Sequence, residues 1–543
     1  MPGPRGDRRN ADFIAFPRDR SEVCVSGAAP HGSRRAVRTR GHDASSTLRR
    51  ALGNARERTF LALSAAALVA TGSANAFGEP LPNNDFAIDL FQGPILAPIR
   101  VIGIAGAYAG YAEGIAGFVA NAASPALREP FSVNHTELDV AASLSIPISL
   151  FDNSDFDNSG GLDYDYSNFI YLTGGVLFQH GRLGLGAYGE LSRYTLTDQD
   201  GEEVNLLIGK YHALGAVRLL GGQLMVGGGA RIVSMGIDAP EAELTFAGLG
   251  PEVGVIVRPD WESFRIGATF RAPVYAGHEL GDVQRVDGGV ERAGGLVLPD
   301  NVVLPWEIEV GVAVQVGPRP LNPEWIDPVE QEADLLDTLT KTRQRRARDQ
   351  KQELSVIADP VLRAETQRTI AAQETIVRAE EDRVRERAEG RLKDERRARY
   401  GNWPREHLLV TAEILVTGDV DRGVSLQRFL GQNQPRDPRR TGFLGPRDHD
   451  SLVGTSGASV SFSPRFGIET EPIPMLVHTR FGSYYEPSRF DRIGRQHFTF
   501  GSDMRVLTTT WFGLVPEVTY TLQGSIDLAP RYESYSVGIG VWH

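Results

Sequence analysis

From Glu137 onward the chain alternates apolar and polar residues in segments of roughly 10–14, each closed off by turn residues. Period-2 alternation puts successive side chains on opposite faces of a strand. Segments this long exceed ordinary soluble strands and suit tilted strands crossing a bilayer. In Val303–Val316, Trp306, Ile308, Val310, Val312, Val314 and Val316 share one face, with Glu307, Glu309, Gly311, Ala313 and Gln315 on the other. Leu408, Val410, Ala412, Ile414 and Val416 likewise alternate with His407, Thr411 and Glu413.

Fourteen strands are predicted, near 137–150, 167–179, 182–195, 209–220, 223–236, 247–258, 262–275, 303–316, 406–417, 456–469, 474–486, 495–504, 512–524 and 532–543. Connections after even strands are mostly tight, such as His180-Gly181, Gly221-Gly222 and Pro259 to Trp261. Those after odd strands are long and polar, such as 151–166, 196–208, 276–302 and 418–455. A soluble sandwich has no reason to obey that asymmetry, whereas an outer-membrane barrel does. The expected fold is an all-β transmembrane barrel of about 14 antiparallel strands. Closure requires the last strand to pair with the first, so that no edge is left open in lipid.

One even connection departs from the rule. Residues 317–405 carry helical grammar: Asp327-Pro328-Val329-Glu330 and Asp359-Pro360 each offer an N-cap followed by proline at the first helical position. Between 319 and 400 there are 18 basic and 18 acidic side chains, with Glu381–Arg385, Glu389–Lys393 and Glu395–Arg399 at i,i+4 spacing. Ile370, Val377 and Val384 recur every seven residues. We expect an inserted long α-helical hairpin, packing on itself or docking a periplasmic protein partner. Its zero net charge argues against nucleic acid.

Ahead of the strands, Val101–Pro130 is rich in Gly and Ala, has one acid (Glu113) in its first half, and reaches Asn121-Ala122-Ala123 and then Pro125. It reads as a compact helical segment. It resembles the N-terminal hatch of the FadL/TodX-type outer-membrane transporter family and its PorV-like relatives. There a Gly-Ala-aromatic run leads through an acid into an Asn-Pro-Ala turn before the first strand. Asn121 matches the Asn, but Ala122 replaces the Pro. The resemblance implies a hatch in the lumen over about 77–135, entering from the periplasm. Tyr108, Tyr111, Glu113, Phe118 and Asn121 are its hatch and ligand residues, and Glu113 should be paired because a buried lone carboxylate is costly.

The N-terminus reads differently. Residues 1–58 hold 13 Arg, no Lys and six acids, and the uncharged run TFLALSAAALVATGSANA follows. A basic region, an apolar stretch and Ala74-Asn75-Ala76 form a secretory signal over 48–76. Residues 1–47 are then a disordered basic leader or an over-extended start. The segment from Phe77 would carry −19, the chain's −12 less the +7 of the first 58 residues. Strands 1–8 fall in 136–316 and strands 9–14 in 406–543. The only cysteine is Cys24, which leaves the rest without disulfides or cysteine-ligated zinc.

No GxSxG, HExxH or phosphate-binding loop is present, so no enzyme is expected and no cofactor is implied. Asp155, Asp157, Ser159 and Asp163, with Gly160, space oxygen ligands as a calcium loop does, but Tyr166 stands where a Glu is needed. A solvated surface loop fits better. The face turned from lipid in the later strands gives Glu307, Glu309, Glu413, Arg465, His478, Arg480, His497, Asp503 and Glu517. Charges of both signs inside a barrel must pair or be hydrated, and no ring of one sign marks a general ion porin. The expected protein sits in Gram-negative outer-membrane lipid. The resemblance implies uptake of hydrophobic, fatty-acid-like small molecules past the hatch. The other reading is a non-transporting scaffold or assembly barrel whose helical arm binds a partner.

Overall fold

In the computed structural model of the chain, residues 83–541 are described apart from 92, 129–131, 133, 147–157, 159–166, 198–202, 240–241, 281–283, 286–290, 294–295, 326, 427–428, 430–454, 491–493 and 512–514. The basic leader, the signal segment and the calcium-like residues Asp155, Asp157, Ser159 and Asp163 therefore lie outside the described residues.

Fourteen wall strands pair antiparallel in chain order. They are β1 (Thr136–Ile146), β2 (Ser167–His180), β3 (Leu183–Thr197), β4 (Glu203–Leu219), β5 (Leu224–Ala239), β6 (Ala242–Val257), β7 (Phe264–Arg271 and Val274–Leu280) and β8 (Asn301–Leu304 and Glu307–Val316). After the insertion come β9 (Leu408–Thr417), β10 (Ser461–Ile473), β11 (Val477–Glu486), β12 (Arg495–Trp511), β13 (Val515–Ala529) and β14 (Tyr532–Val541). β14 closes on β1 from Ala142↔Ile539 to Ile146↔Tyr535.

The alternation read from the sequence sets which face meets lipid. In β8, Ile308, Val310, Val312 and Val314 are exposed while Glu309, Ala313 and Gln315 are buried. Leu138, Val140, Phe178, Leu185, Phe481 and Val537 extend this apolar exterior around the wall. So wide an apolar surface is untenable in water, and a closed sheet leaves no backbone edge for lipid to strand. The protein is an outer-membrane barrel of the Gram-negative envelope. Among the described residues no helix is long and apolar enough to cross a membrane.

Several strands run on into stretches expected to be loops. β4 starts at Glu203 rather than 209, and β5 and β6 continue until Ala239 pairs with Ala242. The connection expected over 276–302 holds the end of β7, a small three-stranded sheet (Gln284–Arg285, Glu291–Ala293, Leu296–Val297) and the start of β8. Polar residues in these stretches had pointed to loops, but ladder pairing continues past the apolar belt.

The wall has one discontinuity. Pro251, Pro273 and Pro305 stand near one level in three neighbouring strands, and proline supplies no N–H to a ladder. Between Arg271 and Gly277 the β6–β7 register slips by one residue: Glu252 faces Arg271, but Ala247 faces Gly277. Ala272-Pro273 and Pro305-Trp306 fall between the two halves of β7 and β8.

Residues 83–128 thread the ring. Ala87–Asp89 pairs parallel with Asn301–Val303 and with Gly423–Ser425, at the end bearing the long connections. The chain then descends through α1 (Ile99–Gly103) and short 3-10 turns at Ile115–Val119 and Ser124–Ala126 to reach β1 at the tight-turn end. Two expectations are corrected. The segment is a series of turns rather than a compact helix, broken by positive φ at Ala105, Gly106 and Gly114. Its first described residues lie at the long-loop end, not at the tight-turn end from which it was expected to enter. Glycines in the wall make the threading possible: a Cβ on Gly184, Gly227 or Gly267 would fall on the carbonyl of Pro125, Ala122 or Ala109.

Residues 328–401 form α2 (Pro328–Val356) and α3 (Pro360–Gly401), 29 and 42 residues long. At 1.5 Å per residue α3 spans about 63 Å. Asp327 and Asp359 cap the two helices, accepting from Val329 N at 2.9 Å and Val361 N at 2.8 Å. Ile370, Val377 and Val384 lie half-buried on the stripe of α3 that also carries Glu381. Glu381 reaches across to Arg343 (2.5 Å) and Arg346 instead of pairing with Arg385 along its own helix. Partial desolvation opposes ionisation of Glu381, but the bonds and charges of those two arginines prevail and hold its carboxyl below the ordinary value. A depressed carboxyl stabilises the folded form above the unfolded value and ceases to do so as pH falls through the folded one. Acidification below about pH 4 should therefore separate the two helices. A distance between spin labels on α2 and α3 that stayed constant from neutral pH to about pH 3 would contradict this.

Candidate functional site

The lumen is built in three levels. At the long-loop end the inward residues of β4 to β6 are apolar: Leu206, Ile208, Val233, Met235, Ile237, Leu244 and Phe246. Phe86, Ile88 and Leu90 of the threaded segment pack on them, together with Leu298, Val302, Val424 and Phe429. The outward positions of these strands at this level are mixed, with Leu207 exposed but also Asp238, Glu243 and Thr245. Lumen-facing positions of a water-filled porin are polar, so the apolar interior is a specific feature of this chain.

Below it lies a belt of ion pairs. Arg271 sits among Glu309 (3.3 Å), Glu307 (3.5 Å) and Glu252 (3.5 Å). Glu252 also meets His212 at 2.9 Å, and Glu307 meets Arg231 at 2.6 Å. Arg465 bridges Glu413 (3.1 Å) and Glu309 (3.6 Å). Arg480 joins Glu469 to Asp503, and His478 contacts Asp503 at 3.1 Å and Glu471 at 3.5 Å. Higher up, His497 lies fully buried between Asp527 (2.8 Å) and Glu486 (2.6 Å), stacked on Tyr484. Buried charges of both signs survive only with such partners.

The belt also grips the threaded segment. Glu113 pairs with Arg265 at 2.6 Å and Arg100 at 3.5 Å. Ala109 N donates to Glu413 Oε2 at 2.7 Å. Asn121 is fully buried; its Nδ2 donates to Ala109 O (3.1 Å), Val255 O (3.1 Å) and Ala268 O (3.3 Å), tying the segment to β6 and β7. Tyr108 and Tyr111 stack edge to face, and Arg100 lies over both. Phe118 packs on Tyr188. A cavity of about 140 Å³ remains beside Tyr111 to Ala116, bounded by Arg100, Glu469, Arg480 and Asp503.

The third level closes the tight-turn mouth. Residues 317–325, expected to be part of the helical insertion, run as a strap across it ahead of α2. Gln315 Nε2 donates to Arg319 O at 2.6 Å, Arg265 Nη2 to Leu321 O at 2.7 Å, and Asn322 Nδ2 to Phe264 O at 2.8 Å. The root of α2 is fastened beside it by His135–Asp327 (2.8 Å) and Arg182–Glu330 (2.6 Å).

The structure thus brings Glu307, Glu309, Glu413, Arg465, His478, Arg480 and Asp503 into one belt and sets His497 in a separate cluster above it. The side chain of Glu517 lies outside the described ones. Sequence reasoning missed Arg100, His212, Arg231, Glu252, Arg265, Arg271 and Glu469. Glu469 shares the parity of Arg465 on β10, and the same parity carried through β4 to β7 would have found most of the others. Arg100 lies in the segment outside any strand, where no periodicity marks it. Among the described residues no three His, Cys, Asp or Glu side chains are grouped to hold a metal ion.

No family model and no curated protein matches the chain. Among solved structures it is similar to the CymD monoaromatic hydrocarbon channel, at 9% identity over 82% of this chain and 96% of that one, with a TM-score of 0.39. It is also similar to a deltaS2 mutant of the TodX monoaromatic hydrocarbon channel (11% identity, 81% and 96% covered, TM-score 0.37). An outer membrane channel from Pseudomonas putida F1 aligns at 10% identity over 76% of this chain and 96% of that one, with a TM-score of 0.25. The barrel assignment rests on the strand pairing and the apolar exterior, not on these likenesses.

Proposed function

We propose that this outer-membrane barrel admits hydrophobic small molecules, with the threaded segment as its hatch. The observation that carries the reading is the apolar interior at the long-loop end. A lumen that needed only filling could be lined with paired charges throughout, as its middle is. Instead, seven inward positions on three consecutive strands are apolar, which suits capture of an uncharged solute before it meets the charged belt.

The belt blocks straight passage of such a solute, so the route turns sideways. The proline discontinuity borders the apolar cluster, since Val274 and Leu304 belong to both. Arg231 seals it from within, donating to Ala272 O at 3.0 Å and Pro305 O at 3.1 Å. A solute leaving there enters lipid without crossing the belt. On this reading the tight-turn end faces the periplasm, and α2 and α3 extend into it.

The experiment is a structure of the protein soaked with an iodinated alkylbenzene, whose iodine is located by anomalous scattering. Density among Leu206, Ile208, Met235 and Phe246 is expected. Density confined to the charged belt, or none at saturation, would contradict the reading. One observation favours the scaffold alternative: Val356, Val361 and Leu362 at the tip of the arm are exposed, as a partner-binding tip would be.

A further inference from the structure

Two arginines at the tight-turn mouth stand apart from the belt. Arg218, at the end of β4, and Arg258, just beyond β6, are 7% and 3% exposed, yet neither forms an ion pair among the described residues. Every arginine of the belt has at least one carboxylate. Arg218 and Arg258 have backbone oxygens of the strap instead: Arg218 Nη2 donates to Trp325 O at 3.3 Å, and Arg258 Nη2 donates to Pro323 O. That leaves Arg218 Nε and Nη1 and Arg258 Nε buried with no acceptor among the described residues. Neutral carbonyls do not compensate two buried guanidinium charges, and native proteins seldom leave such donors unused.

The surroundings deepen the deficit. The Trp325 ring lies against two guanidinium groups, Arg128 at 4.7 Å and Arg218 at 4.4 Å. Arg128 has Glu137 at 3.2 Å, which accounts for one of these charges and not the other. A cleft of about 60 Å³ opens beside Trp325, between the strap and the root of α3, lined by Glu324 and Glu395 as well as Arg396 and Arg399. Its rim is balanced in charge, so the unmet positive charge at this mouth lies with the buried arginines beneath the strap.

We propose that Arg218 and Arg258 form an oxyanion site at this mouth, filled by the strap carbonyls when the mouth is shut and taken over by a carboxylate or phosphate group. A carboxylate or phosphate matches a guanidinium fork with charge-assisted, bidentate bonds that a single carbonyl cannot make. Anion and strap then compete for the same donors. Binding frees residues 321–325 and loosens the root of the arm, so the mouth responds to an anion independently of any apolar solute. This inference does not rest on hydrophobic uptake, and its test does not read uptake.

The test uses the full chain in an uncharged detergent, with Cys24→Ser and an exposed strap residue, Glu324→Cys, labelled with bimane. Trp261, which lies outside the strap and lines the same cleft as Glu324, quenches the label while the strap is seated, and adjacent Trp325 adds a constant background. Inorganic phosphate and acetate are titrated separately, with chloride at matched ionic strength as control. A saturable rise in emission with half-saturation at about 1 mM or below is expected from at least one oxyanion. Arg218→Gln with Arg258→Gln should raise that concentration at least about tenfold, while Arg193→Gln, an exposed arginine toward the long-loop end of β3, should leave it unchanged. Identical responses to chloride and both oxyanions would overturn the site. So would a folded double variant that titrates like its parent. If the double variant does not fold, the comparison of oxyanion with chloride in the parent decides the matter alone.

Discussion

Glu113→Gln should lower the stability of the folded barrel by about 3–5 kcal/mol, the usual cost of removing one partner from a buried ion pair. Glu113 is the carboxylate that faces both Arg265 and Arg100, and Arg265 is itself 2% exposed. The variant leaves Arg265 charged, buried and close to the already uncompensated Arg258. Arg265→Gln should cost at least as much, because Arg265 also holds Asn322 Oδ1 at 2.7 Å and Leu321 O at 2.7 Å. Urea titration followed by the mobility of the compact form on unheated gels measures both. The combined variant Glu113→Gln with Arg265→Gln should lose less than the two single losses added, since it removes both charges together. A shift under about 0.5 kcal/mol for Glu113→Gln would mean that the threaded segment is not held through this pair.

The second large effect comes from wall glycines. A Cβ at Gly227 or Gly267 would collide with backbone of the threaded segment, at Ala122 and Ala109, and backbone cannot swing aside as a side-chain end can. Overpacking costs about 1–3 kcal/mol per site. Gly227→Val with Gly267→Val should therefore shift the balance toward an expelled segment by about 2–6 kcal/mol, roughly a 30-fold or larger rise in the open population. Both positions accept valine as far as the strands are concerned, so the barrel should still assemble. Entry of a hydrophilic antibiotic too large for ordinary porins reads the result. Unchanged permeability with an intact barrel would show that the belt and the strap close the lumen without the segment.

Much of the fold was legible because lipid and lumen impose opposite demands on alternate residues. Ile308 and Val310 against Glu309 admit one placement, and a one-residue slip would put the carboxylate into lipid. Fourteen strands, the closure of β14 on β1 and the capped helical insertion follow from such local rules. Strand ends at the long-loop side were not legible, since β4 and β5 project beyond the apolar belt where polar residues pair as well as apolar ones. The three prolines were visible in the sequence, but only the register of β5 to β8 puts Pro251, Pro273 and Pro305 near one level. The strap was invisible for a different reason. Leu321, Asn322 and Trp325 show no periodicity, and their meaning lies in arginines 56 to 107 residues earlier in the chain.

The charged belt illustrates the same limit. Parity located Glu413 and Arg465 on the inward face, but not that Glu413 accepts from Ala109 N, a residue 304 positions away. Asn121 stood out through its motif, and its bonds to Val255 O and Ala268 O give that position a physical role in tying segment to wall.

The most direct test of the central claim is uptake of a radiolabelled alkylbenzene by cells whose outer membrane limits its entry. Cells producing the protein should accumulate it on the order of tenfold faster than cells lacking it, the ratio that about 1.4 kcal/mol of barrier sets. Uptake of a hydrophilic sugar of similar mass should be unchanged, because the belt and the strap close the aqueous path. Equal alkylbenzene uptake with and without the protein, or a parallel rise for the sugar, would contradict the account.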